Sequence, residues 1–69
     1  MAISARNNLK GIVKAVNIGA VNAEVVLELS PGVEIVSVIT KASAESLGIA
    51  VGKEASAVIK ASDVLVAID

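Results

Sequence analysis

The chain has 69 residues, a formal net charge of −1, and no cysteine, histidine or aromatic residue. This length allows one domain, residues 1–69, and so small a domain buries only about 60% of the surface that its unfolded chain exposes. The missing cysteine and histidine side chains exclude disulfides and a soft or borderline metal ion, which are two usual supports of small folds. Because 55% of the residues are nevertheless hydrophobic, we expect oligomerisation to supply the support.

The composition also argues against nucleic-acid binding, membrane insertion and catalysis. Single-stranded nucleic acids usually stack on aromatic rings and need a basic surface, and the chain has neither. No apolar run is long enough to span a bilayer, and no signal sequence opens the chain, so we expect a soluble, cytoplasmic protein. The usual catalytic bases and nucleophiles are missing. If Ser62 and Lys60 shared a strand face they could form a catalytic pair, but a turn serine beside a surface lysine is the simpler interpretation.

Alternating side chains predict two antiparallel strands in the first half of the chain. Residues 9–16 put Leu9, Gly11, Val13 and Ala15 on one face, and Lys10, Ile12, Lys14 and Val16 on the other. Gly11 leaves no side chain on the inner face, which suits a bend or the close approach of another backbone. Residues 17–19 predict a turn, and residues 21–29 form the clearest strand, with Val21, Ala23, Val25, Leu27 and Leu29 on one face.

The next segment predicts a third strand that runs directly into a short helix. Ser30-Pro31-Gly32 is a turn signal, and residues 33–39 carry apolar side chains on both faces, as expected of a strand covered on both sides, for example at a subunit interface. Thr40 then suits a helix N-cap with Ser43 at the third helical position, and Gly48 suits the C-cap. We therefore predict a helix over residues 41–47.

Two more strands are predicted after the helix. Residues 54–60 form the fourth, residues 61–63 a kink or tight turn, and residues 64–68 a terminal strand with Val64, Val66 and Ile68 alternating with Leu65 and Ala67. Three strands, one short helix and two strands is the order of an OB-fold. The predicted fold class is therefore all-β: a small five-stranded OB-like Greek-key barrel with one short helix between strands 3 and 4.

Three polar clusters interrupt this apolar pattern, at residues 3–7, 40–43 and 60–62. Arg6, the only arginine, offers a planar fork of donors, and Lys60 offers a compact charge. Our hypothesis is that the three clusters converge on one small inorganic oxyanion. The hydroxyl groups of Ser4, Thr40 and Ser43 would add further donors. Backbone N–H groups at the start of the helix and near Ala61 would complete the set.

The same segments carry a resemblance to a known family. Ile3-Ser4-Ala5-Arg6-Asn7, followed by Leu9-Lys10-Gly11, resembles the opening motif of the molbindins, the small molybdate-binding Mop proteins with a TOBE, OB-like domain. That domain also occurs in molybdate-responsive regulators and in molybdate-importer ATPases. The resemblance continues over essentially the whole chain, through Ile39-Thr40-Lys41-Ala42-Ser43, Leu47-Gly48, Val51-Gly52-Lys53 and Val58-Ile59-Lys60-Ala61-Ser62.

The resemblance implies a cytoplasmic, non-catalytic protein that binds molybdate or tungstate for storage or homeostasis. It also implies a hexamer, built as a trimer of dimers, with oxyanions bound at the subunit interfaces. Ser4 and Arg6 would come from one subunit, and the remaining contacts from another: Thr40, Ser43, Lys60 and Ala61. Ala5, Asn7 and Ser62 would support the site, with Asn7 ordering its segment rather than touching the ion.

Each candidate residue also has a simpler interpretation. Ser4 and Asn7 could belong to a solvated terminal segment, and Arg6 could form a surface ion pair with Glu24 or Glu28, which is worth at most about 1 kcal/mol. Thr40 and Ser43 could act only as helix caps. Lys60 could be an edge-strand lysine that blocks aggregation.

A second function also fits the pattern. Val26, Val36 and Val38 could form an outer apolar face by which a structural or regulatory module without its own ligand docks on another protein. For the oxyanion hypothesis, the motifs fit both molybdate and tungstate, and both storage and delivery to a cofactor-assembly pathway.

Overall fold

The computed structural model of the chain describes residues 4–69, so Ile3, the first residue of the opening motif, lies outside the described residues. Its four strands are β1 (Asn7–Ile18), β2 (Asn22–Ser30), β3 (Val33–Thr40) and β4 (Glu54–Ile59). Helix α1 (Lys41–Leu47) lies between β3 and β4, and a short 3₁₀ turn (Ala61–Asp63) follows β4. The all-β class and the short helix between strands 3 and 4 are thereby confirmed.

The four strands form one antiparallel sheet in the order β3-β2-β1-β4. This is the Greek-key arrangement, in which the fourth strand returns to lie beside the first. The long strand β1 pairs with β4 from Asn7 to Ile12 and with β2 from Ile12 to Ile18. One strand therefore holds both halves of a curled sheet together.

A β-bulge in β1 changes which side chains reach the core. The register between β1 and β2 shifts between Val13 and Ala15, so Lys14 is an extra residue in the ladder. The prediction that Val16 shares the outer face with Lys14 is wrong, because one extra residue inverts the alternation beyond it. Val16 packs instead against the core cluster of Val13, Val25 and Leu27.

Gly11 lies where the backbone of β1 closely approaches β2. A Cβ atom at this position would lie 2.7 Å from the carbonyl oxygen of Glu28 and 3.0 Å from Cδ2 of Leu29. Real Cβ atoms essentially never approach a backbone atom so closely. The close backbone approach predicted for this glycine is therefore confirmed.

Helix α1 has the bounds that the sequence predicts, because local signals mark both of its ends. Thr40 caps its start with the side chain, and Gly48 closes it in the left-handed conformation, with φ of 67°. The N–H of Ile49 donates to the carbonyl of Ala44 at 3.0 Å, which completes the C-terminal turn. Within residues 4–69, no helix is long and apolar enough to cross a membrane.

The predicted fifth strand is absent from the part of the chain that the structure describes. Residues 64–69 form no strand, and Leu65, Val66 and Ile68 are 93%, 88% and 94% exposed. The alternation of Val64, Val66 and Ile68 is that of a strand, but a strand also needs an edge with which to pair. The described chain is therefore four-stranded rather than five-stranded, and its sheet does not close through β3 and β4.

A cluster of charged side chains lies on the outer face of β1, β2 and β3. Glu28 and Glu34 are direct cross-strand partners, an unfavourable pairing of like charges. The Lys14 ammonium group lies 3.8 Å from the Glu28 carboxylate and donates a hydrogen bond to the Glu34 carboxylate. The hydrogen bond from Lys14 to Glu34, supported by both negative charges, raises the pKa of Lys14 above its ordinary value of 10.5.

We predict that Gly11→Ala destabilises the sheet by about 1–3 kcal/mol, because the added methyl group forces two backbones apart. Urea denaturation followed by far-UV circular dichroism measures the loss, since the chain has no aromatic residue for fluorescence. Asn8→Ala, an exposed change in the same strand, should stay within about 0.5 kcal/mol of the parent protein. Equal stability of the two variants would contradict the close approach.

We predict that Lys14→Met destabilises the fold at neutral pH and much less at high pH. Because the folded-state pKa of Lys14 is raised, its contribution is complete below 10.5 and is lost as the pH rises through the higher folded-state value. Urea midpoints of parent and variant, compared at about pH 8 and about pH 11.5, measure this convergence. If the difference in urea midpoint between parent and variant is the same at both pH values and in high salt, the effect of Lys14 comes from packing instead.

Candidate functional site

Two of the three polar clusters leave the sheet at the same end. Asn7 pairs with Ile59 as the terminal pair of the β1–β4 ladder. Residues 4–6 precede Asn7, and residues 60–62 follow Ile59, so the two segments begin at the same end of neighbouring strands. The pairing of β1 with β4 thus brings the segments of Arg6 and Lys60 to one end of the sheet.

The second segment turns immediately after β4. The turn is closed by the N–H of Asp63, which donates to the Lys60 carbonyl at 2.9 Å, and by the N–H of Val64, which donates to the Ala61 carbonyl at 3.3 Å. These bonds leave the N–H groups of Ala61 and Ser62 unused by the turn. Ala61, which has no polar side chain, can therefore offer a backbone donor next to Lys60 in the chain.

The turn also removes the basis of the catalytic hypothesis. A Ser–Lys pair needs Lys60 and Ser62 to share the face of a strand, but β4 ends at Ile59. Ser62 lies instead in the 3₁₀ turn, and both of its neighbours in that turn are exposed. The predicted extension of the fourth strand to residue 60 is therefore one residue too long.

The third cluster lies where β3 ends and α1 begins. The N–H of Ser43 donates to Oγ1 of Thr40 at 3.0 Å, and the Thr40 hydroxyl donates to Oγ of Ser43 at 2.8 Å. The predicted N-cap is confirmed. Since Oγ of Ser43 accepts from Thr40, its own proton remains free to point outwards to an acceptor.

The helix start offers fewer backbone donors than the sequence suggested. The N–H of Lys41 donates to the Val21 carbonyl at 2.7 Å, and the N–H of Ser43 is bound to Thr40. Two of the first three amides of α1 are thus used within the chain. Hydroxyl groups, rather than amides, are the main donors of this cluster.

A cavity connects the end of β3 with the end of β4. It has a volume of about 360 Å³, and its lining includes Ile39 of β3, Leu47 of α1 and Ile59 of β4. Thr40 and Lys60 directly follow two of these lining residues. Residues at the ends of both strands therefore line one cavity, and that lining is largely apolar.

The candidate contact residues are exposed in the single chain, and Ala5 and Asn7 are half-buried. The exposed residues are Ser4, Arg6, Thr40, Ser43, Lys60, Ala61 and Ser62. The surface ion pair suggested for Arg6 is not formed among residues 4–69, where Lys14 instead holds Glu28. These cationic and hydroxyl side chains, which we call the polar rim, lie towards both ends of β1. Asn7 pairs with Ile59 at one end, whereas Thr40 pairs with Asn22 near the other. One chain alone therefore does not enclose an anion between them.

The valines proposed as a docking face lie together on the outer side of β2 and β3. Val26 is the cross-strand partner of Val36, and Val36 and Val38 are 58% and 64% exposed. Sequence reasoning placed these side chains correctly, but it did not identify the cavity. Its lining comes from three separate elements, and the pattern within any one of them does not show that they meet.

Comparisons with known proteins agree over nearly the whole chain. The family model described as TOBE domain matches residues 3–66. Molybdenum-pterin-binding protein 3 of Clostridium pasteurianum is 53% identical over 66 residues, covering 96% of this chain and 97% of the relative. The structure of a molybdate-binding protein from Sporomusa ovata superposes with a TM-score of 0.91 at 35% identity, covering 99% of this chain and 100% of that one. The cytoplasmic molybdate-binding protein ModG, solved with molybdate bound, matches at 54% identity and a TM-score of 0.83, covering 88% of this chain and 43% of ModG.

We predict that Thr40→Val and Ser43→Ala differ in their effects on stability. Thr40→Val removes the acceptor that caps α1 and should cost about 1 kcal/mol. Ser43→Ala keeps the capping bond, because the bond uses the backbone N–H of residue 43, and should change stability by less than about 0.5 kcal/mol. Urea denaturation followed by circular dichroism measures both variants, and equal losses would refute the capping role of Thr40.

Proposed function

This chain belongs to the TOBE domain family, and we propose that it is a molybdate-binding module, residues 1–69, that stores or buffers the ion in the cytoplasm without catalysing a reaction. The observation that carries the proposal is the exposure of Arg6, Ser43 and Lys60, which leaves their donors open to a ligand. The proposal is supported by relatives named for molybdenum or molybdate binding over the full length of this chain. ModG, described as cytoplasmic, supports the location.

The chemistry of the rim suits such an ion. Molybdate is a doubly charged, tetrahedral anion that accepts hydrogen bonds and donates none, so it needs donors from several directions. Arg6 and Lys60 balance its two negative charges, which lowers the cost of removing it from water. Hydroxyl protons from Ser43 and Ser4, and the amide of Ala61, would fill the remaining directions.

One chain leaves these donors exposed, and we propose that a second copy encloses the ion. Ser4 and Arg6 of one copy would meet Thr40, Ser43, Lys60 and Ala61 of another at an interface of a homohexamer, built as a trimer of dimers. The small buried core supports assembly, because only Val13, Ala23, Val25, Leu27 and Ala44 are buried among the described hydrophobic residues. Residues 64–68 would form the fifth strand of an OB-like barrel in this assembly.

Enclosure also gives a physical basis for selectivity. Sulfate has the same charge and shape as molybdate but is smaller, so a site that recognises charge alone would discriminate poorly between the two ions. Donors held by a strand end, a helix cap and a closed turn cannot readily contract around a smaller ion. Tungstate, which is close to molybdate in size and shape, would bind at the same site.

We predict that Arg6→Ala and Lys60→Ala each weaken molybdate binding by about ten- to a hundredfold, because each removes a charge-assisted hydrogen bond worth about 1.5–3 kcal/mol. Isothermal titration calorimetry measures the affinity, and circular dichroism checks that the sheet remains folded. Lys10→Ala is the matched control, since it removes the same charge from within β1 at a residue that pairs with Ser56. Unchanged affinity in both site variants would refute the site.

Native mass spectrometry of the parent protein tests the assembly and the ion together. A hexamer that gains several molybdate ions, and no sulfate under matched conditions, is the expected result. A monomer that ignores both ions would contradict the proposal and favour docking through Val26, Val36 and Val38 on another protein.

A further inference from the structure

The turn between β1 and β2 contacts the start of helix α1. The carbonyl of Val21, in this turn, accepts a hydrogen bond of 2.7 Å from the N–H of Lys41, the first residue of α1. The N–H groups in the first turn of a helix have no partner within the helix itself. This bond between distant parts of the chain therefore fixes where α1 begins relative to the sheet.

The turn that supplies this carbonyl is itself held in place. The N–H of Gly19 donates to the Asn22 carbonyl at 2.7 Å, which closes the turn. Asn22 is also the cross-strand partner of Thr40, the last residue of β3. Thr40 and Lys41 thus both lie against the turn, so a displacement of the turn displaces the start of α1.

Two further hydrogen bonds connect this contact with a candidate ligand group. The Thr40 hydroxyl donates to Oγ of Ser43 at 2.8 Å, and the N–H of Ser43 donates to Oγ1 of Thr40 at 3.0 Å. The Thr40 proton is used in this pair, whereas the Ser43 proton remains available to an acceptor. The position of that proton depends on Thr40, and the position of Thr40 depends on the turn.

We propose that the β1–β2 turn positions a donor of the oxyanion site: the Val21 carbonyl holds the N–H of Lys41 and thereby sets the position of the Ser43 hydroxyl. Val21 acts only through its backbone, since its side chain is 70% exposed. The inference rests on the proposed function and deepens it, because the turn acts on the ion through Ser43. A site that recognises an ion of fixed size depends on donors held within narrow limits, so a small displacement of α1 lowers the affinity.

Lys41→Pro removes the contact at little cost to the helix. Proline is favoured at the first helical position, and the extended conformation of Thr40, with φ of −70° and ψ of 150°, suits a residue that precedes proline. Proline has no N–H, and its ring does not fit where the Val21 carbonyl lies 2.7 Å from the nitrogen. The start of α1 must therefore move away from the turn. Lys41→Ala is the matched control, because it removes the same charge and keeps the N–H.

Isothermal titration calorimetry with molybdate measures the effect. We expect Lys41→Pro to weaken binding about tenfold, as loss of one charge-assisted hydrogen bond does, and Lys41→Ala to change it less than about twofold. In a Ser43→Ala background, Lys41→Pro should weaken binding less than about twofold, because the turn acts through the hydroxyl that this background lacks. General damage to the fold would instead lower the affinity equally in both backgrounds. Such an equal loss, or parent affinity in Lys41→Pro, would overturn the inference.

Amide hydrogen exchange, followed by NMR on the parent protein, tests the contact without a variant. The Lys41 amide should exchange at least about tenfold more slowly than the Ala42 amide, which has no partner among residues 4–69. If the two exchange equally fast while the parent protein binds molybdate, the inference is overturned and the proposed function stands. If the Lys41 amide is protected but the parent protein binds no molybdate, the proposed function fails, and the positioning role fails with it.

Discussion

The double pairing of β1 is the constraint on which the rest of the structure depends. Its first half bonds to β4 and its second half to β2, and Ile12 lies in both ladders. Gly11 makes this possible, because any side chain there would strike the backbone of β2. The pairing curls the sheet, brings the start of β1 beside the end of β4, and leaves β3 and β4 as the two free edges.

This arrangement leaves a chain of this size with only a small buried core. The cluster of buried residues is limited to Val13, Val25 and Leu27, with half-buried neighbours around it. A cavity remains open between β3 and β4, residues 64–69 remain exposed, and the polar rim remains open to solvent. A single chain therefore leaves apolar area exposed, two strand edges unpaired and charged groups open to solvent. The assembly proposed above would bury part of this apolar area and enclose an anion between charged groups of different copies.

The parts of the candidate site that depend on near neighbours could be predicted from the sequence. Thr40 and Ser43 are three residues apart, so their capping bonds follow from helix geometry alone. The sequence likewise predicts the chemical identity of the donors, which are one arginine, one lysine and several hydroxyl groups. The number of amides available at the helix start could not be predicted, because the N–H of Lys41 is taken by Val21, twenty residues away in the chain.

The sequence by itself determined the order of the elements, the ends of α1, the close approach at Gly11 and the kinds of donor in each polar cluster. Each of these depends on side-chain alternation or on residues within one turn of each other. The tertiary structure alone decided the bulge at Lys14, which turns Val16 towards the core, and the end of β4 before Lys60. It also decided that residues 64–68, although patterned as a strand, have no strand partner among residues 4–69. The physical reason is that pairing is set by hydrogen bonds between distant segments, whereas a local pattern specifies only which side of a strand is apolar.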